Sequence, residues 1–225
     1  PNSFEHSRNT YSKYAYYFLT EKTLGSPMSF PVQEGISGGV ETTTFPDYAL
    51  YEKDEFSWMN FGRRFYENYD YMNGRSCSYT FSLPGVLPEK ESSLKLSFSS
   101  NDEGSNSVSV SVNGSLCGTL PIAGISGYTK YQFYEKIFNC NSLTENTKVS
   151  LTHTGKASAH LDYMSISYTR QLGQYGAYTC FRSHVAGKRE FVVNSANPNT
   201  AIWKITPLSG GSAYSCVWLK GAYAD

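Results

Sequence analysis

One hairpin constrains the fold of this chain more than any other feature of its sequence. Val108, Val110 and Val112 alternate strictly with serines, and Asn113-Gly114 follows directly. A period of two residues is typical of a β-strand with one buried and one solvated face. Asn and Gly tolerate the positive φ angles that a type I′ turn requires. We therefore expect an antiparallel hairpin at this point.

Strand-like runs recur along the rest of the chain, separated by turn-rich clusters about every 8–12 residues. Leu94, Leu96 and Phe98 alternate with polar residues, which predicts another strand with one wet face. No sustained 3.6-residue apolar stripe is present, and the best helical candidate is a short piece near residues 56–66. Further strands are predicted at residues 79–83, 131–138, 148–152, 161–169, 190–194, 201–206 and 214–219.

This pattern predicts an all-β chain with a jelly-roll-like antiparallel β-sandwich and a further small β segment or subdomain at the C-terminal end. Residues 41–172 would form the sandwich, and residues 1–40 an N-terminal extension that could add strands to its main sheet. Residues 173–225 would form the additional β segment, either extending the sandwich or folding separately. The chain starts at Pro1 without a leader-like stretch, so we expect a trimmed or processed piece of a longer protein.

The composition excludes several classes of protein. The 225 residues carry 19 basic and 19 acidic side chains, so no net positive field would gather nucleic acid or anionic lipid. Aromatic residues reach 16% and charged residues only 17%, which is the opposite of a disordered tail. No stretch approaches the roughly 20 apolar residues that span a bilayer. We expect no nucleic-acid partner and no direct membrane insertion.

The cysteines indicate structure more than chemistry. Their spacing is wide and their number is odd, so neither a thiolate zinc site nor complete pairing is expected. We predict mostly buried free thiols, since free Cys is among the most buried residue types. One disulfide is the alternative, and the sequence does not show which two cysteines would form it. The five are Cys77, Cys117, Cys140, Cys180 and Cys216.

Histidine patterns give little support for a metal. His153 and His160 are seven residues apart, on different strands or across a turn, and zinc ligands are usually closer. We interpret them as surface or half-buried polar residues, with a metal site as the minor alternative. The other two histidines are His6 and His184.

Catalytic patterns are equally weak. Cys180 with His184, and Cys140 with the region of His153, are the only candidates for a Cys–His nucleophile pair, and neither has a surrounding motif. We predict no catalytic residue, no metal and no cofactor. A structural calcium at Asp102-Glu103 is an alternative that nothing else in the sequence supports.

The aromatic residues are the remaining functional candidate. Tyr and Trp present apolar faces with a polar edge, which suits protein partners and sugar rings. Tyr and Phe also favour strands and fill sandwich cores. A core role is favoured, followed by an interface and then carbohydrate stacking. The N-terminal third is crowded with Tyr14, Tyr16, Tyr17, Phe18, Tyr66, Tyr69 and Tyr71.

Four segments, taken in order, resemble a known exported architecture. Residues 47–54 read DYALYEKD, residues 62–67 GRRFYE, residues 161–172 LDYMSISYTRQL, and residues 201–207 AIWKITP. Together they are similar to the region ahead of the catalytic domain in PorU-type gingipain-like cysteine peptidases. These proteins are the sortases of the type IX secretion system in Bacteroidetes. The chain departs from the family pattern after Arg63, and at Lys204 and Thr206, where the family usually carries acids.

The resemblance implies a non-catalytic N-terminal accessory region of an exported gingipain-like protein. In the family the catalytic His is followed by Gly, and no His of this chain is. The implied partners are the peptidase domain of the same full-length chain, exported protein cargo and envelope proteins. The implied location is the periplasm, outer membrane or cell surface. The implied role is to position a domain or recognise a partner or cargo.

The candidate binding surface is the aromatic and arginine-bearing segment at residues 58–71. Its arginines could pair with a carboxylate of the peptidase domain or of cargo, or pair internally. The predicted binding residues are Trp58, Arg63, Arg64, Phe65, Tyr66, Tyr69 and Tyr71. A carbohydrate-binding jelly-roll module of a secreted or surface protein is the alternative function, and an independent hydrolase is the third.

Overall fold

The computed structural model describes residues 4–5, 31–34, 38–60, 63–183, 186–197, 199–207 and 214–220. The tyrosine-rich stretch at residues 14–18, His6, His184 and Gly62 lie outside the described residues. Most of the predicted N-terminal extension does too. Two compact units are distinguished. The first is built on Thr44–Gln171, with residues 4–5 and Cys180–Ser183, and the second on the described residues between 31 and 43, on Leu172–Thr179 and on those after 185.

Thirteen β-strands and one short 3₁₀ turn, Met72–Gly74, occur in the described part of the chain. The strands are β1 (Val32–Glu34), β2 (Val40–Thr42), β3 (Thr44–Glu52), β4 (Ser76–Ser82), β5 (Ser92–Ser100), β6 (Asn106–Val112), β7 (Ser115–Ile122), β8 (Gln132–Cys140), β9 (Asn146–His153), β10 (Ala159–Gln171), β11 (Arg189–Phe191), β12 (Ile202–Pro207) and β13 (Tyr214–Lys220).

The larger unit is a sandwich of two four-stranded antiparallel sheets. The first sheet has the order β3-β10-β5-β8 and the second β4-β9-β6-β7. One apolar cluster lies between them and takes side chains from both sheets. The predicted all-β, jelly-roll-like class is therefore confirmed. Fully buried members of the cluster include Leu94, Leu96, Phe98, Val108, Val110, Val112, Leu151, Met164 and Ile166.

The predicted hairpin is present between β6 and β7. Asn113 and Gly114 have φ angles of 49° and 85°, as a type I′ turn requires. The Asn113 side chain also fastens the turn to its surroundings. Its Nδ2 donates to the Ser142 carbonyl at 2.8 Å, and its Oδ1 accepts from the Lys148 amide at 2.8 Å. This turn fixes which face of β6 meets the core.

The helix predicted near residues 56–66 is wrong. Phe56 and Tyr66 instead exchange backbone hydrogen bonds of 2.8 Å across a loop, in an isolated β-bridge. The backbone groups of these residues therefore bond across the loop rather than along a helix. None of the described residues between them is helical.

The described residues of the second unit form two small sheets. In one, β13 pairs with β1 in parallel and with β12 in antiparallel register. In the other, β2 and β11 form a parallel pair. The strands predicted near residues 201–206 and 214–219 correspond to β12 and β13. The predicted boundaries near residues 40 and 172 stay predictions.

Candidate binding surfaces

Residues 54–60 and 63–71 form a covering segment that lies against the first sheet. Its backbone attaches to β10, since the Glu67 amide donates to the Leu161 carbonyl at 2.8 Å and the Tyr71 amide to the Ala159 carbonyl at 2.9 Å. This segment contains all seven predicted binding residues. The structure places these residues in three different environments.

Trp58 is half-buried over the end of the first sheet. Its indole Nε1 donates to the Ser99 hydroxyl at 2.9 Å. Its ring stacks on Tyr131, with centroids 5.6 Å apart and planes 12° apart, and meets His160 edge-on. The indole therefore holds the segment to the sheet and leaves only part of its surface accessible.

Of the two arginines, Arg64 has an internal partner and Arg63 is exposed. Arg64 Nη1 lies 3.3 Å from Asp162 Oδ2, and its guanidinium lies 3.7 Å from the centre of the Phe133 ring. The Ser97 hydroxyl also donates to Asp162 at 2.8 Å. Burial raises the pKa of Asp162, while the Ser97 hydrogen bond and Arg64 act against that rise. The internal pairing thus applies to Arg64.

Tyr66 and Tyr71 are fully buried. Tyr66 Oη is buried without a hydrogen bond, and burial raises the pKa of this phenol above its ordinary value. Tyr69 and Phe65 are half-buried, and the Tyr69 hydroxyl donates to the Ser76 carbonyl at 2.9 Å. The prediction that these side chains form a binding surface stays untested.

A buried acid that the sequence did not single out organises the inner side of the segment. Glu67 accepts hydrogen bonds from the Tyr51 hydroxyl at 2.6 Å and from the Tyr79 hydroxyl at 2.5 Å. Tyr79 also shares a 2.5 Å contact with Tyr71. Burial first, and the bond to Glu67 second, raise the pKa of Tyr51 to about 12. These groups have a structural role in joining the segment to the core.

The outer face of the first sheet carries exposed apolar side chains along its two edges. Cross-strand pairing puts Leu50, Ser165, Lys95 and Ile137 in one row across the four strands. Large apolar side chains stand on the two edge strands, while small serines occupy the centre. The exposed members are Tyr48, Leu50, Phe133 and Ile137, and the buried serines between them are Ser93, Ser165 and Ser167.

A second apolar surface lies in the smaller unit. Trp203 of β12 and Trp218 of β13 are directly opposite each other and stacked, with centroids 6.2 Å apart. Ile205 is two residues farther along β12 and therefore shares their face. The three side chains are 41%, 44% and 64% exposed. We call these residues the tryptophan face.

The loop ends of the sandwich enclose a polar cleft of ≈ 640 Å³. Asn101, Glu103, Thr129 and Lys130 line it. The side-chain oxygen of Asn101 is buried and has no hydrogen-bond partner.

The two histidines that the structure describes, His153 and His160, are hydrogen-bonded inside the sandwich. His153 and His160 are 1% and 4% exposed, so the interpretation as surface or half-buried residues is wrong. His153 bonds the Asn106 side chain at 2.9 Å, and His160 Nδ1 donates to the Glu67 carbonyl at 3.0 Å. Burial lowers the pKa of both imidazoles. Among the described residues, no cluster of His, Cys, Asp and Glu could hold a metal.

Asp102, one of the two residues considered above as calcium ligands, accepts hydrogen bonds from backbone amides. Its carboxylate accepts from the amides of Lys156 at 2.7 Å, Ala157 at 3.1 Å and Gly104 at 3.0 Å. The backbone hydrogen bonds, that of Ala157 first, lower the pKa of Asp102. The carboxylate thus joins two loops of the sandwich.

The prediction of mostly buried thiols is wrong. Only Cys140 is buried, while Cys180 is exposed and the other three cysteines are half-buried. Cys77 and Cys117 lie on β4 and β7, the two edge strands of the second sheet, where fewer neighbours cover a side chain. All five thiols are free in the structure.

No protein-family model and no curated protein matches this chain. Among solved structures, dimeric latent PorU from Porphyromonas gingivalis is similar over 89% of this chain, with a TM-score of 0.71 and 16% identity. The chain covers 20% of that PorU. A family 35 carbohydrate-binding module from Clostridium thermocellum is similar over 56% of this chain and 98% of its own, with a TM-score of 0.36 and 14% identity. The PorU likeness shows a shared fold.

Proposed function

We propose that this chain is a non-catalytic accessory β region of an exported gingipain-like peptidase or sortase-type protein. The observation that carries the proposal is the shared fold with part of latent PorU over 89% of the chain. The order of the four sequence segments that resemble this family supports it as well. The role is to position a neighbouring domain or to recognise a protein partner or cargo.

Two exposed apolar surfaces suit a protein-contact role. The tryptophan face offers two large aromatic side chains, and the outer face offers Phe133 and Ile137. Trp, Tyr and Arg supply most of the binding energy in many protein interfaces. Arg63 is exposed and adds a charge that a partner's carboxylate could meet. The peptidase domain of the same full-length protein is the partner that the family likeness favours.

The proposed location is the periplasm, the outer membrane or the cell surface. It follows from the proposed parent, because gingipain-like sortases act outside the cytoplasm. Among the described residues, no helix combines the length and apolar character that crossing a bilayer requires.

The test is calorimetric titration of this chain with the separately expressed peptidase region of its parent protein. We expect Trp218→Ser, Ile137→Ser or Arg63→Ala to weaken binding about tenfold or more, depending on which surface docks. Arg64 is left intact, because its loss would leave the carboxylate of Asp162 without its ion pair.

Matched controls are Tyr128→Ser and Tyr178→Ser, because both tyrosines are well exposed and lie outside the two surfaces. Unchanged affinity in all three surface variants would overturn the assignment of these surfaces. An affinity loss as large in the controls would do the same, since it would reflect general damage.

Carbohydrate binding is the second candidate function. One observation favours it: Asn101 lines a polar cleft, and its buried side-chain oxygen has no hydrogen-bond partner in the protein, which a sugar hydroxyl would supply once the side chain turns toward the cleft. We expect a glycan array to show binding that Asn101→Ala removes and the exposed-loop control Asn141→Ala keeps. An array without signal would dispose of this candidate.

A further inference from the structure

The two sheets of the sandwich approach each other along one open edge. β7 is the edge strand of the second sheet and β8 the edge strand of the first. Lys136 Nζ donates to the Thr119 carbonyl at 2.7 Å, and a Cβ placed on Gly118 would lie 3.0 Å from the Phe138 ring. The edge strands β7 and β8 therefore run in opposite directions along this edge.

The next residues along these two strands are Cys117 of β7 and Cys140 of β8. Cys140 is fully buried in the apolar cluster, and Cys117 packs against the same cluster from β7. Cys117 is the extra residue of a bulge, since Gly118 pairs with Val110 while Leu116 pairs with Ser111. Because of the bulge, Cys117 has no cross-strand partner on β6.

The two thiols are neighbours at this edge, because the Cys117 side chain acts on the ionisation of Cys140. Each thiol also faces a carbonyl of its own strand, Cys117 that of Ser115 at 4.0 Å and Cys140 that of Phe138 at 3.7 Å. Burial first, and this neighbour second, raise the pKa of Cys140 to about 12. Cys77, by contrast, lies on β4, three strands away from β7, or about 14 Å, which is beyond the reach of a disulfide.

We propose that Cys117 and Cys140 form a disulfide in an oxidising environment, and that this bond fastens the two sheets at their open edge. The oxidant is a disulfide-bearing oxidoreductase or a low-molecular-weight disulfide. The inference rests on the sandwich alone and not on the proposed function.

Both electrons of the reaction go to the oxidant. The thiolate of Cys117, the more accessible residue, attacks the oxidant's disulfide and expels one thiolate. The Cys140 thiolate then attacks the Cys117 sulfur of the mixed disulfide and expels the second. Two protein thiols become one disulfide, and one disulfide of the oxidant becomes two thiols. The raised pKa of Cys140 makes the second step faster at alkaline pH.

The test is to incubate the folded chain with oxidised glutathione at about pH 8.5 and to digest it with trypsin without reduction. We expect a linked pair of peptides, residues 96–130 and 137–148, two hydrogens lighter than their sum. The pair should separate on reduction. Cys117→Ser should abolish it, and Cys180→Ser, at the exposed thiol, should keep it.

Thermal unfolding gives a second readout. The oxidised chain should melt about 5–10 °C above the reduced chain, because the bond restricts the unfolded ensemble. Cys117→Ala should remove this difference. Glutathione adducts on Cys117 without a link to Cys140, or links spread evenly among the five cysteines, would overturn the proposal.

Discussion

Glu67 shows at the scale of one residue how the covering segment is attached to the sandwich. It is 6% exposed and accepts the hydroxyls of Tyr51 and Tyr79. These tyrosines are 16 and 12 residues away in sequence, on different sheets. Sequence alone could not predict this site, because an isolated Glu gives no sign of the hydroxyls that the fold brings to it.

We expect Glu67→Ala to lower the free energy of unfolding by about 2–4 kcal/mol, since two hydroxyls lose their acceptor. Glu67→Gln should cost less, because it keeps one acceptor oxygen. Urea unfolding measures both variants. The control is Glu103→Ala at an exposed acid, and a loss below about 0.5 kcal/mol in Glu67→Ala would contradict this role.

The buried imidazole of His160 predicts a dependence of stability on pH. Burial lowers the pKa of His160, while the Glu67 carbonyl and the charges of Asp70 and Glu67 act against it. The unfolded chain then binds a proton near pH 6.5 that the folded chain binds only at lower pH. Stability is therefore complete above about pH 6.5 and falls as the pH drops below it.

His160→Phe tests this dependence, because a Phe ring can retain the stacking on Phe56, whose centroid is 3.9 Å away. The variant should be less stable at pH 7, having lost the bond to Glu67, but its urea midpoint should change less between pH 7 and pH 5. Part of the pH dependence of stability should remain in this variant, because burial also lowers the pKa of His153. An unchanged slope would count against the imidazole as its source.

At the scale of elements, strict alternation predicted the interior of the sandwich well. The valines of β6 and the apolar residues of β5 all lie in the core. The wet face predicted for β5 is wrong, because Ser97 and Ser99 are fully buried beneath the covering segment. β3 was not predicted. It contains Pro46, and it tolerates this proline as an edge strand.

The turn between β6 and β7 allows a stability prediction at the scale of a single element. A Cβ on Gly114 would meet no atom within 4 Å, so only its φ of 85° opposes a larger residue. Gly114→Ala should therefore lower the free energy of unfolding by about 1 kcal/mol. Ser115→Ala, at an exposed strand position, is the control and should cost less than about 0.5 kcal/mol. Equal effects in urea unfolding would contradict the turn's conformational requirement.

At the scale of the whole molecule, periodicity and turn spacing were sufficient for the fold class but not for the surfaces. β10 shows why, since a register shift between Leu161 and Tyr163 leaves Asp162 as an extra residue. A bulge of this kind breaks a period-two pattern and sends a charged side chain to Arg64. The tryptophan face depends on the pairing of β12 with β13, which periodicity does not reveal.

The central claim is that this chain serves a larger exported peptidase-like protein by protein contact. Calorimetry of the unaltered chain with the peptidase region of the same gene product tests this claim most directly. We predict one-to-one binding with a dissociation constant in the micromolar range or tighter. A parent gene without a gingipain-like region, or a titration without binding heat at several temperatures, would contradict it.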